Sequence, residues 1–174
     1  MGKEEDYVVS ESIHPGVRIG HAHLKVADLE RATDFYREVL GFDVVVYGPE
    51  YGVQAGFLSA GGYHHHIGLN TWESAGGTPP PPAHTGLYHV AILYPDRREL
   101  ARAVKRLLDH GHPIDGASDH GGSEAVYLTD PDGNGLELYR DRPRETWTDE
   151  EGKVIFQMPK KLDLDDLLQE LGPD

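Results

Sequence analysis

Two histidines in this chain stand at the head of apolar runs, and the same pattern follows each. His21 opens His-Ala-His-Leu-Lys-Val-Ala-Asp28, and His89, 68 positions later, opens His-Val-Ala-Ile-Leu-Tyr-Pro-Asp96. A carboxylate, Glu137, stands between leucines in Gly135-Leu-Glu-Leu-Tyr139. Two neutral imidazoles and one carboxylate are the donors that hold non-haem Fe(II) or Mn(II) while leaving coordination positions open for substrate and O2. A lone strand histidine is more often a structural residue. Two at equivalent positions of a repeat, joined by an inward carboxylate, favour a metal centre.

Such donors need elements to place them, and the periodicity supplies these twice. Residues 17–26 alternate as a strand, and Asp28 caps a helix running to about Leu40, with Leu29, Ala32, Phe35, Tyr36 and Leu40 at helical spacing and Gly41 ending it. Short strands are predicted at Val44 to Tyr47, Val53 to Ser59 and His64 to Asn70. Residues 73–86, rich in Gly and holding Pro79 to Pro82, read as a crossover. The order then repeats: strand 87–94, helix about 96–110, and strands near 113, at 124–129 and at 135–140. Asp130-Pro-Asp-Gly-Asn134 is the last hairpin turn. It imitates the start of a calcium loop, but the twelfth position is Asp141 rather than Glu, and a tight turn accounts for it. The stripe Leu162, Leu164, Leu167, Leu168 and Leu171 is expected to dock on the domain or on a partner subunit.

Strand parity shows where the chemistry faces. Leu24 and Val26 share one face while His21 and His23 share the other. Leu136 and Leu138 likewise oppose Glu137 and Tyr139, and Val126 and Leu128 oppose Ala125 and Tyr127. A sheet face lined by imidazole, carboxylate and phenol implies a pocket that uses them. In His64-His65-His66, alternation sends His65 opposite to its neighbours.

Length and charge bound the rest. A chain of 174 residues can bury one core, and the repeat interval is too short for two independent domains. A net charge of -14 and a pI near 5.1 repel phosphate backbones and anionic lipid, which argues against nucleic-acid and membrane-surface partners. No apolar run spans a bilayer, and Met-Gly-Lys-Glu-Glu-Asp lacks the apolar core of a signal peptide, so a cytoplasmic location is expected. Zero cysteines exclude disulfides, thiolate ligands and a Cys nucleophile.

With these motifs the chain resembles the vicinal oxygen chelate superfamily of glyoxalases, bleomycin-resistance proteins and dioxygenases. Within it, the likeness is to type I extradiol ring-cleaving, catechol 2,3-dioxygenase-like proteins. His23-Leu-Lys-Val-Ala-Asp-Leu-Glu-Arg31 and Phe35-Tyr-Arg-Glu-Val-Leu-Gly-Phe42 mark the superfamily. Tyr63-His-His-His-Ile-Gly-Leu69, Tyr88-His-Val-Ala91 and Tyr127-Leu-Thr-Asp-Pro-Asp-Gly-Asn-Gly-Leu-Glu-Leu-Tyr139 point to ring cleavage.

The resemblance implies an α+β fold in which two βαβββ modules form a curled mixed sheet around a metal pocket. It covers residues 17–142, with module one at 17–72 and module two at 86–142, flanked by an N-terminal segment 1–16 and a C-terminal extension 143–174. It places metal ligands on His21, His89 and Glu137, an acid/base group on His65 and a substrate-binding phenol on Tyr127. A further family histidine matches His120, with a spacing two residues shorter. Fe(II), or Mn(II), is the implied metal, an aromatic diol and O2 the implied reactants, and a homodimer the implied assembly. Two features depart from the pattern: these residues hold one pair of modules where the usual enzymes hold two, and the C-terminal extension is not a general family feature. The alternatives are a glyoxalase-type lyase or isomerase, which a fourth ligand from His66 with Ni(II) or Zn(II) would favour, and a small-molecule binding or resistance protein. An intact ligand triad weighs against the last.

Overall fold

The computed structural model describes residues 12–172. Its first helix starts where the Asp28 carboxylate accepts the Arg31 amide: α1 covers Leu29–Asp34 and continues as a π-helical turn over Phe35–Val39. A regular helix to Leu40 was the expectation. The wider turn, closed by Leu40 N–H donating to the Phe35 carbonyl, places the consecutive rings of Phe35 and Tyr36 together in the core.

The duplication is visible in the strand pairing. In the first sheet, β1 (Ala22–Lys25), β2 (Asp43–Tyr47), β3 (Ala55–Ser59) and β4 (Ile67–Asn70) lie in the order β1-β4-β3-β2, with β1 parallel to β4. The second module follows the same plan with β5 (Val90–Leu93), α2 (Arg97–Asp109), β6 (Gly116–Asp119), β7 (Ser123–Thr129) and β8 (Gly135–Asp141). Its order is β5-β8-β7-β6, again with the first strand parallel to the last, and the extension adds β9 (Lys160–Lys161) beside β6. The fold is therefore α+β with two mixed sheets, as the sequence implied.

Five strands, β1, β3, β4, β5 and β6, are shorter or displaced from expectation. β1 begins at Ala22 and β5 at Val90, so His21 and His89 each stand one residue ahead of the ladder, at equivalent positions. β6 starts at Gly116 rather than near 113, because Pro113 has no N–H to donate and pairing resumes only where Asp115 N–H reaches the Tyr127 carbonyl. His64, His65 and His66 precede β4, so strand alternation does not set their directions.

One apolar cluster joins both modules: Leu24, Val26, Leu58, Ile67 and Leu69 of the first sheet, Leu100, Val104 and Leu107 of α2, and Val126, Leu128, Leu136 and Leu138 of the second. The β7–β8 turn bolts them together. Asp130, 4% exposed, accepts the amides of Asp132 and Asn134, the Asn134 side-chain amide and the Tyr36 hydroxyl. Asp132 accepts the Ala27 amide at 2.9 Å and the Arg31 guanidinium at 2.7 Å. These carboxylates serve the turn and module one, which is how the calcium-like spacing is used. Burial, then the Asp130 charge, pushes the Tyr36 hydroxyl well above its ordinary pKa. Among the described residues, no helix is long and apolar enough to cross a membrane.

The C-terminal stripe docks on its own domain. Leu162, just after β9, and Leu167 of α3 (Leu164–Leu168) are buried in the common core. Arg97 of α2 binds Glu124 at 3.0 Å, Asp166 at 2.6 Å and Glu170 at 2.7 Å, tying the tail to the second sheet. Leu167→Ala is expected to destabilise by about 2–5 kcal/mol through the cavity it leaves. Chain removal after Lys161 should lower the urea midpoint further. Unchanged midpoints for both would mean that the stripe adds nothing to the folded core.

Candidate active site

The second sheet assembles four of the six residues singled out by sequence. Glu137 on β8 faces Tyr127 across the antiparallel ladder and Ala91 across the parallel one. His89 lies just ahead of β5, beside Gly135, where a Cβ would meet the Tyr88 carbonyl at 2.1 Å and the His89 Cβ at 3.2 Å. Only glycine admits that approach. His89 Nε2 then lies 3.0 Å from Glu137 Oε2.

On its other oxygen, Glu137 accepts from the Tyr127 hydroxyl at 3.1 Å. That phenol has one proton, so its oxygen is left to accept from His120 Nε2–H, 2.7 Å away. The result is a directed chain from His120 through Tyr127 to Glu137. Burial first, and then the Glu137 charge, pushes the Tyr127 pKa up to about 12, so the phenol stays protonated at neutral pH. The His89 Nδ1 is buried without a hydrogen-bond partner among the described residues.

The first sheet carries a different group. His21 stacks against His65 with ring centroids 4.4 Å apart, and His65 Nδ1 lies 2.8 Å from His64 Nδ1. Phe57 of β3 packs on His65 and on His23, and Trp72 packs on His23. Gly68 makes room for the His23 ring, which a Cβ there would meet at 3.0 Å. His66 is tied back, its Nδ1 accepting the Ala60 amide at 3.3 Å and lying 3.1 Å from Ser59 Oγ. Desolvation, and then the neighbouring imidazoles led by His21, lower the pKa of His65 and of His23 below the ordinary histidine value.

The structure thus brings together His89, Glu137, Tyr127 and His120 on one sheet, and His21 with His65 on the other. Among the described residues, no group of three or more His, Asp or Glu side chains converges closely enough to hold a metal ion. A cavity of about 560 Å³ opens beside His21 between β1 and β5, and one of about 470 Å³ opens beside His89 and Tyr127. Sequence reasoning missed Phe57 and Trp72 as walls of this region. Parity would have found Phe57, because it alternates with Gly56 and Leu58, whereas Trp72 follows β4 and its direction has no periodic signal.

A family model, the Glyoxalase/Bleomycin resistance protein/Dioxygenase superfamily, matches residues 18–138. A catechol-2,3-dioxygenase of Bacillus subtilis (strain 168) is 44% identical over 164 residues, covering 94% of this chain and 55% of that protein. A biphenyl-2,3-diol 1,2-dioxygenase 3 of Rhodococcus globerulus is 32% identical over 124 residues, 71% of this chain and 63% of that protein. The chain therefore spans between half and two thirds of these relatives. Among solved structures, a glyoxalase/dioxygenase from Nostoc punctiforme matches with TM-score 0.61 and 23% identity over 78% of this chain and 99% of that one. A lactoylglutathione lyase from Agrobacterium tumefaciens matches with TM-score 0.56 and 24% identity, over 73% of this chain and 96% of that one. At these identities the structures speak to the fold alone.

Tyr127→Phe should leave Glu137 without its phenol donor and His120 without its acceptor. The expected loss is about 1–2 kcal/mol of stability at pH 7, read from urea unfolding. An unchanged midpoint would show that the hydroxyl is not engaged.

Proposed function

The chain belongs to the Glyoxalase/Bleomycin resistance protein/Dioxygenase superfamily, and we propose that within it the protein is a metal-dependent, extradiol-type ring-cleaving dioxygenase acting on a catechol-like aromatic diol. The observation that carries this reading is the 44% identity to a catechol-2,3-dioxygenase across nearly the whole chain. The hydrogen-bonded series His120, Tyr127, Glu137 and His89 supports it.

His21, His89 and Glu137 are the residues that would hold the metal, Fe(II) or, as the variant of the same donor set, Mn(II). Two of these donors fit it: His89 Nε2 and Glu137 Oε2 are 3.0 Å apart, as neighbouring ligands of one small ion are, and both are partly buried, while among the described residues no third donor converges with them. His21 stands at the matching position of the other module, where its ring now rests on His65. When bound, the metal supplies Lewis acidity toward the diol oxygens and a redox partner for O2.

The remaining work falls to the chain itself. Tyr127, held protonated, turns its single proton from Glu137 to a diol oxygen and so orients it, while His120 donates to the phenol from behind. His65 has its Nδ1 against His64, which leaves Nε2 to take a proton from the second diol hydroxyl and return it to the product. Phe57 packs on its ring and limits water there. The tethering of His66 through Nδ1 weakens the case for a fourth ligand, and with it the glyoxalase-type reading with Ni(II) or Zn(II). A homodimer belongs to this reading, since Ile19, Leu87 and Tyr88 expose apolar surface of the kind a second copy covers.

Metal analysis of anaerobically purified protein, followed by O2 uptake with catechols, tests the reading. About one metal per chain is expected, and Glu137→Ala should abolish or greatly weaken its binding. Full metal occupancy in that variant would overturn the ligand assignment, and absence of O2 uptake with every catechol would overturn the reaction. His65→Phe should keep the metal and slow turnover by roughly 10² to 10⁴. Loss of the metal would make His65 a ligand instead, and full activity would move the proton-transfer role to His120.

A further inference from the structure

His120 sits in the turn between β6 and β7 and is followed there by two glycines, Gly121 and Gly122. Gly121 has a φ of +79°, and a pair of glycines is the most freely rotating backbone a chain can have. His120 Nε2 is nevertheless held 2.7 Å from the Tyr127 hydroxyl. A displacement of the turn by about 1 Å would forfeit that bond. Inside the turn, His120 N–H donates to the Ser123 carbonyl and Gly121 N–H to the Asp119 carboxylate, each at 2.8 Å. The remaining constraints come from the C-terminal extension. The Trp147 Cβ lies 3.0 Å from where a Cβ on Gly122 would stand, so alanine or anything larger would press on it. The indole N–H of Trp147 donates to the Arg142 carbonyl at 2.9 Å, and Arg142 N–H donates to the Gly122 carbonyl at 2.8 Å. Over Gly121 the space is taken by the Gln157 carboxamide, which a Cβ there would overlap. Ile155 N–H on the Trp147 carbonyl and a bridge between Thr148 and Val154 close residues 147–155 into a hairpin, so Trp147 is itself fixed.

We propose that this hairpin of the C-terminal extension aims His120: Trp147, seated on Gly122 and tied to Arg142, holds the β6–β7 turn in the conformation from which His120 donates to Tyr127. Trp147 is a positioning residue for the series His120, Tyr127 and Glu137, and it acts only through the turn. It is half-buried and stands outside the apolar cluster that joins the two modules, so its packing is spent on this turn and on Arg144, whose guanidinium lies 5.2 Å from the indole centroid. Without it, the glycines let His120 drift from the phenol, and the Tyr127 oxygen loses its donor. The single Tyr127 proton is then less well directed. The consequence for turnover rests on the ring-cleavage reading, whereas the aim of His120 does not. Losing one aligned hydrogen bond behind the orienting phenol slows turnover on the order of tenfold.

The aim of His120 is tested on the full chain by urea unfolding, with no turnover involved. His120→Ala and Tyr127→Phe remove the same hydrogen bond, so in the parent chain their separate midpoint shifts should sum to more than the shift of the double variant. In Trp147→Ala the two substitutions should instead be additive, because the bond is already lost. Trp147→Phe, which keeps the Cβ and a ring, should restore most of the non-additivity. Non-additivity of the same size in Trp147→Ala, or none in the parent chain, overturns the inference. Should Trp147→Ala fail to fold, Gly122→Val forces the turn and the indole apart from the opposite side and must give the same additivity. Turnover of catechol by the Fe(II)-loaded chain is the second readout. Trp147→Ala should lower kcat roughly tenfold while KM stays within about twofold, since Trp147 touches no substrate. In a His120→Ala background it should change kcat by less than about twofold. Equal losses in both backgrounds overturn the positioning role. A parent chain that cleaves no catechol counts against the ring-cleavage reading, and the unfolding result then decides the aim of His120 by itself.

Discussion

Everything in this molecule hangs on a buried carboxylate that must have its oxygens satisfied. Asp130 sits at the end of β7, nearly inaccessible to water, and an unpaired charge there would be heavily penalised. Its partners are the amides of its own turn and the hydroxyl of Tyr36 in the other module. The first set closes the β7–β8 hairpin in one register, and that register puts Tyr127 opposite Glu137. The second, with Asp132 on Ala27 and Arg31, holds module one against module two. One short turn thereby sets both the inner geometry of a half-site and the relation of the two halves.

Each module then repeats the same topological device. The first strand pairs in parallel with the last, so the residue just ahead of the first strand is delivered next to the last strand's outward side chains. In module two this places His89 beside Glu137 across the gap left by Gly135. In module one the same position delivers His21 to His65. The aliphatic side of both sheets is consumed by the common core, which leaves the imidazole, phenol and carboxylate side for the polar groups of the site. Three arginines, Arg97, Arg140 and Arg142, converge on Glu124, 3% exposed, and Arg97 also anchors the C-terminal extension through Asp166 and Glu170.

The amino-acid sequence by itself determined the family, the duplication and the side of each strand that carries chemistry. These are periodic or local properties: alternation along β1 and β8, the Asp28 and Asp96 caps, and the turn chemistry of residues 130–134 are all written within a few residues of one another. The repeat pointed to His89 and the strand pattern to Glu137, while the family resemblance pointed to Tyr127 and His120; the fold gathers all four on one sheet. What only the tertiary structure decided has no local signal. The direction of His64, His65 and His66 depends on where β4 begins, and that depends on its partners Leu58 and Ala22 rather than on the histidines. The use of Asp132 as a bracket on Ala27, 105 residues away, and the burial of Leu167 next to the Arg97–Asp166 ion pair are likewise contacts between distant segments. Such contacts follow from how two finished modules pack, and packing is a property of surfaces that exist only after the chain has folded.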